Sequence, residues 1–140
     1  MNLAEKRRYA QPGFTFMELV VVVLVLGILA AVGIPTYMNL RARAERNSTI
    51  VTLKNLKGQL DIFKADMGKY PAKLSELAER PKGELAKKWQ GPYFETVPQD
   101  GWKNDFYYKV TPGGKHPYEL YSYGPNGEEG SPDERFSIWD

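Results

Sequence analysis

Residues 14–34 read FTFMELVVVVLVLGILAAVGI, from Phe14 to Ile34, with Glu18 as the one ionisable side chain in 21 positions. At about 1.5 Å per residue a helix of that length spans roughly 31 Å, one bilayer hydrocarbon core. A chain of 140 residues has little room to bury such a helix on every side, which argues against a soluble core helix. The run is longer than the ~7–15 residues of a secretory h-region, and no clean A-x-A cleavage pattern follows Leu29-Ala30-Ala31. The reading is a membrane-spanning helix. Lys6, Arg7 and Arg8 on one flank balance Arg41, Arg43 and Arg46 on the other, so positive-inside counting leaves the orientation open.

The rest of the composition excludes more than it selects. The chain has no Cys and one His, which removes disulfides, thiolate nucleophiles, Cys-ligated metals and His-rich sites. The formal charge of +2 is unevenly placed: residues 1–13 carry +2, residues 36–118 carry +6, residues 119–140 carry −5, and Glu18 completes the balance. No strong basic footprint of a nucleic-acid binder is present, and no nucleic-acid partner is expected.

Beyond Pro35 the apolar residues Leu53, Leu56, Leu60, Phe63 and Met67 recur at steps of 3 and 4, one face of an amphipathic helix that packs on a C-terminal domain. Gly68 and Tyr70-Pro71 end it. Leu74, Leu77 and Ala78 predict one short helix, and Pro81, Gly83, Gly91, Pro92 and Pro98 predict loops. Residues 106–110 and 118–122 predict a hairpin around the turn Thr111–Lys115, with a third short strand near Ile138-Trp139. His116, in a Gly-Gly-Lys-His-Pro turn, reads as solvent-exposed. The expected fold class is α+β: a long N-terminal helix packed against a small antiparallel sheet. The divisions are a leader over 1–13, a transmembrane and assembly helix over 14–34, its amphipathic continuation over 35–67, and an α/β region with an acidic loop over 68–140.

A carboxylate at Glu18 costs free energy inside a membrane, less near an interface than at the centre. It either reaches headgroup water or meets a positive partner. Cleavage between Gly13 and Phe14 would create such a partner, an α-amino group four residues away. Gly13-Phe14-Thr15-Phe16-Met17-Glu18-Leu19, after a basic leader and before the apolar run, resembles the signal of type IV pilins and pseudopilins. The resemblance implies a type IV pilin-like fold, a prepilin peptidase that cuts after Gly13 and methylates Phe14, and a Glu18 that pairs with the terminal amine of a neighbouring subunit. Pro35 falls where that family places its helix-bending proline.

Three further stretches resemble the major pseudopilins of the type II secretion system: Gly68-Lys69-Tyr70-Pro71, Val97 to Phe106, and Tyr121-Ser122-Tyr123-Gly124-Pro125-Asn126-Gly127. Within the second, Gly101 and Lys103 depart from the commonest residues, a change expected to matter little. The implied function is a structural filament subunit, anchored in the bacterial inner membrane with its C-terminal domain in the periplasm, then drawn into a pseudopilus. Implied partners are copies of itself, minor pseudopilins, the inner-membrane assembly platform, the prepilin peptidase, and membrane lipid before assembly. A type IV pilin for adhesion, twitching or DNA uptake is the alternative, although major pilins usually carry a disulfide loop that this chain lacks.

The acidic loop admits two readings: a solvated turn, or a calcium site built on oxygen donors. By resemblance the ligands would be the side chains of Asn126, Asp133 and Glu134 with carbonyls from Tyr123 and Glu128. Asn126 and Glu134 stand where the family places aspartates. Arg41, Arg43 and Arg46 likewise have two readings, snorkelling to lipid headgroups or solvating the helix. A membrane-tethered enzyme would have to use Asp100 with Asp105, or Asp133 with Glu134, and no nucleophile or phosphate loop accompanies them.

Overall fold

The computed structural model describes residues 12–140, so most of the leader, including its basic residues, lies outside the described residues. The described chain contains one α-helix, α1 (Phe16–Met67), and three strands, β1 (Tyr107–Val110), β2 (Tyr118–Ser122) and β3 (Phe136–Ser137). It divides into two units, residues 1–39 and 40–140.

In the first unit the helix makes no core. Phe14 and every large apolar side chain from Phe16 to Ile34 are exposed, and an 18-residue window of this stretch has mean hydropathy 2.8 with nothing buried. A helix this long and apolar meets the length requirement for crossing a membrane. Pro35 lies inside the helix rather than at its end. It removes one backbone donor, and the next residue, Thr36, turns its hydroxyl back to the Val32 carbonyl at 2.9 Å.

In the second unit the predicted stripe is the core. Leu53, Leu56, Leu60, Phe63 and Met67 are buried against Leu74, Leu77, Phe106, Tyr118 and Leu120. Each fully buried apolar side chain contributes about 1.5–3 kcal/mol. The helix ends at Gly68, whose N–H donates to the Lys64 carbonyl at 2.8 Å. The sheet is antiparallel in the order β1-β2-β3. Tyr107 faces Tyr121 and Val110 faces Tyr118 in one ladder, and Ser122 faces Phe136 in the other. Alternation along β2 sends Tyr118, Leu120 and Ser122 inward and leaves Glu119 exposed.

Four local expectations shift. The short helix is a 3₁₀ turn at Leu74–Leu77, and a second one lies at Gly83–Lys87 in the stretch expected to be loop. The third strand pairs at Phe136–Ser137 rather than at 138–139. Trp139 is drawn elsewhere: its Nε1 donates to the Tyr118 carbonyl at 2.9 Å, and its ring stacks on His116 at 4.2 Å. That stack also makes His116 half-buried, against the expectation of a solvent-exposed residue.

Candidate assembly and metal sites

Gly13 and Phe14 precede the first helical turn and are exposed, so the bond between them lies outside the helix. Just after it, Thr15 and Glu18 form a reciprocal capping box. The Thr15 N–H donates to Glu18 Oε2 at 2.7 Å, and the Glu18 N–H donates to Thr15 Oγ1 at 3.2 Å. Two of the backbone donors that a helix start leaves unpaired are thereby satisfied. The carboxylate also sits in the first turn, where the helix dipole favours negative charge. The pattern Thr-x-x-Glu was present in the sequence, which alone could have suggested this role beside the electrostatic one.

The stretch 97–106 forms a turn welded to both helix and sheet. Asp100 is 3 % exposed. Its Oδ1 accepts the N–H groups of Trp102 (3.0 Å) and Asn104 (2.8 Å), and its Oδ2 accepts the Ser122 hydroxyl at 2.6 Å. Ser122 Oγ in turn accepts the Gly124 N–H at 3.0 Å. Gly101 touches α1: its N–H donates to Thr49 Oγ1 at 2.9 Å, and a Cβ at this position would overlap the Glu45 carbonyl. The departure at Gly101 therefore matters for this chain, since any side chain there would push the turn off the helix. Lys103 adopts φ 69°, the left-handed region that favours glycine.

These contacts dissolve the enzyme reading. Both Asp100 oxygens are taken up within the turn, and Asp105 accepts a bond from Gln99 Nε2 at 3.0 Å. Asp133 lines a hollow with Arg46 and Lys54, whereas Glu134 is held by Asn126.

The acidic loop brings together part of the expected calcium set. Asn126 Nδ2 lies 3.0 and 2.9 Å from the two Glu134 carboxylate oxygens. Gly124, at φ 85°, lets the Glu134 backbone pass so closely that a Cβ would collide with its carbonyl oxygen. Tyr123 and Glu128 line a separate hollow with Asn104 and Asp105. Among the described residues no three acidic or histidine side chains converge on one point. The donors are of the type a hard cation takes, while Asp133 would have to swing from its own hollow to join them.

Tyr107 stacks on Tyr121 at 4.6 Å, and the Arg135 guanidinium lies over Tyr121 and Tyr123 at 5.1 and 5.7 Å. Arg46 lies over Phe136 at 5.3 Å and Lys57 over Trp139 at 5.0 Å, so two helix cations hold the last strand and the segment that follows it. These cation partners sit 90 and 82 positions away in the chain, beyond the reach of any local sequence pattern.

A long helix with an exposed apolar first half, its second half packed on a small antiparallel sheet, is the type IV pilin-like fold. The major pseudopilin of the type 2 secretion system of enterohaemorrhagic Escherichia coli, known from a crystal structure, superposes with a TM-score of 0.61 at 24 % identity, over 73 % of this chain and 88 % of that one. The family model for type II secretion system protein G matches residues 36–140, and that for the prokaryotic N-terminal methylation motif matches residues 8–34. The core protein G of the type II secretion system from Pseudomonas aeruginosa is 37 % identical over 96 % of this chain and 99 % of its own length. That from Escherichia coli K12 is 35 % identical over 96 % and 92 %. The chain belongs to the type II secretion system protein G family. Its members are structural pseudopilins, and the chain is not an enzyme.

Proposed function

We propose that the chain is made as a membrane-anchored precursor, cut after Gly13 by a prepilin peptidase, methylated on Phe14, and polymerised into the periplasmic pseudopilus of a type II secretion system. The carrying observation is the exposed apolar first half of the helix, headed by Gly13-Phe14 and the Thr15–Glu18 box, on a chain of the protein G family. Before assembly lipid covers residues 14–34, with the C-terminal unit in the periplasm beyond the inner membrane. After assembly, neighbouring helices replace the acyl chains. Glu18 leaves its own Thr15 and pairs with the Phe14 amine of a neighbour, setting the register. Pro35 weakens the helix locally, since it lacks one donor. Minor pseudopilins and the inner-membrane assembly platform complete the machine.

Membership of the protein G family, together with the absence of cysteine, favours a secretion pseudopilus over an adhesive or motility pilus. The mass of the N-terminal peptide isolated from the host tests the processing: methylated Phe14 is expected, and an intact Met1 would reject it. Glu18→Val should be processed and fail to assemble; normal filaments from that variant would refute the pairing role.

We further propose that the acidic loop takes calcium. A half-turn of the Asn126 amide exchanges Nδ2 for Oδ1 and sets two oxygen donors face to face with Glu134. Asp133 and the carbonyls of Tyr123 and Glu128 would complete the shell. Calorimetric titration with calcium should give heat and raise the melting temperature. No heat and no change upon chelation would reject the site.

A further inference from the structure

Two exposed loops of the unit 40–140 carry opposite charge and are fastened at different heights along α1. The first runs from Lys73 to Lys88 through the two 3₁₀ turns. The Leu77 carbonyl accepts the N–H groups of Tyr93 and Phe94 at 2.8 and 3.1 Å. Tyr93 Oη donates to Asp66 Oδ2 at 2.8 Å, which fixes this loop near the end of the helix. Arg80 closes the loop on itself, donating to the Ala86 carbonyl through Nε (3.0 Å) and Nη2 (2.7 Å). Lys73, Arg80, Lys82, Lys87 and Lys88 are exposed on it, against exposed Glu79 and Glu84 and half-buried Glu76, so the loop stays net basic; Glu84 is paired with Lys87.

The second loop is the 3₁₀ turn Gly127–Glu129, where Glu128 and Glu129 are exposed. Asn104 Nδ2 donates to the Gly124 carbonyl at 3.3 Å, and the neighbouring Gly101 is bonded to Thr49. That anchor lies 17 residues before Asp66, a separation of about 25 Å along the helix. Among the described residues Lys82, Lys88, Glu128 and Glu129 form no ion pair.

We propose that these loops are the two halves of one contact between copies of the chain: the basic loop of one subunit docks on the Glu128–Glu129 turn of a second subunit displaced along α1. The anchors are far too widely spaced for the loops to meet within one chain. A symmetric pairing would set lysines against lysines, whereas a head-to-tail contact offers each subunit one donor and one acceptor surface and so propagates without closing. Both loops are already tied down by hydrogen bonds, which keeps the ordering cost of docking small. The inference rests on the homopolymer reading above. It uses the side chains of Glu128 and Glu129, which the calcium proposal leaves free.

The chain has no cysteine of its own, so disulfide trapping in the assembled polymer is a clean test. The full-length double variant Lys88→Cys/Glu129→Cys, oxidised after assembly, should give a ladder of dimers, trimers and longer species, and neither single variant should. A polymer without the ladder, or dimers from Lys88→Cys alone, would overturn the contact while leaving the polymer reading intact. Failure of the wild-type chain to polymerise would overturn that reading and this one with it. Glu128→Lys/Glu129→Lys should lose the polymer, and adding Lys82→Glu/Lys88→Glu should restore it. Wild-type polymer yield from the first pair would also overturn the contact.

Discussion

Thr15 and Glu18 hold each other across the first helical turn, each accepting the other's backbone N–H, at 2.7 and 3.2 Å. A carboxylate at the head of an apolar helix is thus supplied with a donor from its own chain. Thr15→Ala should cost the helix start about 1 kcal/mol. Hydrogen exchange in detergent micelles should show faster exchange at the Glu18 amide, and Thr15→Ser should restore the wild-type rate.

Lys103 sits at φ 69° at a position where glycine would bear no side-chain penalty. A non-glycine residue in this region costs roughly 1–2 kcal/mol. Lys103→Gly should therefore raise the melting temperature, the larger unfolded-state entropy of glycine reducing the gain to somewhat less than that figure. A lower melting temperature would show that the Lys103 side chain contributes more than its backbone strain.

Asp100 joins the turn, the sheet and, through Gly101 and Thr49, the helix. Asp100→Ala leaves two N–H groups and the Ser122 hydroxyl without their acceptor. Denaturant unfolding should lose about 3 kcal/mol or more. Ser122→Ala, which removes only the 2.6 Å bond and the support of Gly124, should lose less.

Tyr118 is fully buried, and its hydroxyl has no hydrogen-bond partner. Burial, and then the nearby Asp61 and Tyr70, push its phenol well above the ordinary value of 10.0; burial does the same for Tyr108. The folded state therefore keeps these protons while the unfolded chain releases them, so stability is constant below about pH 10 and falls above it. Tyr118→Phe should raise stability by about 1 kcal/mol at neutral pH, and should flatten part of the alkaline fall. Urea midpoints at neutral pH and above pH 10 would check both.

The helix and its stripe are legible because period and composition are local: Leu53 to Met67 repeat at 3 and 4, and the apolar run from Phe14 needs no partner to be recognised. β3 was displaced because two residues carry little pattern, and what fixes Phe136 is Trp102 stacked on it at 5.5 Å and Arg46 across it. Thr49 went unread because a threonine beside the stripe looks like surface; its burial comes from Gly101, 52 residues later. The Asn126–Glu134 clasp follows a similar rule, since only the crossing of Gly124 and the Glu134 backbone brings the two side chains together.

The core of the second unit joins the helical stripe to residues that are made much later. At ribosomal rates of about 5–20 residues per second, the 72 residues from Gly68 to Trp139 take roughly 4–14 s to follow. During that interval Leu53, Leu56, Leu60 and Phe63 have emerged without Tyr118, Leu120 or the cation-held C-terminal aromatics to cover them. The nascent subunit thus passes through a stage in which its stripe is open to proteases and to other chains, and shelter at that stage would set how many copies survive to assemble.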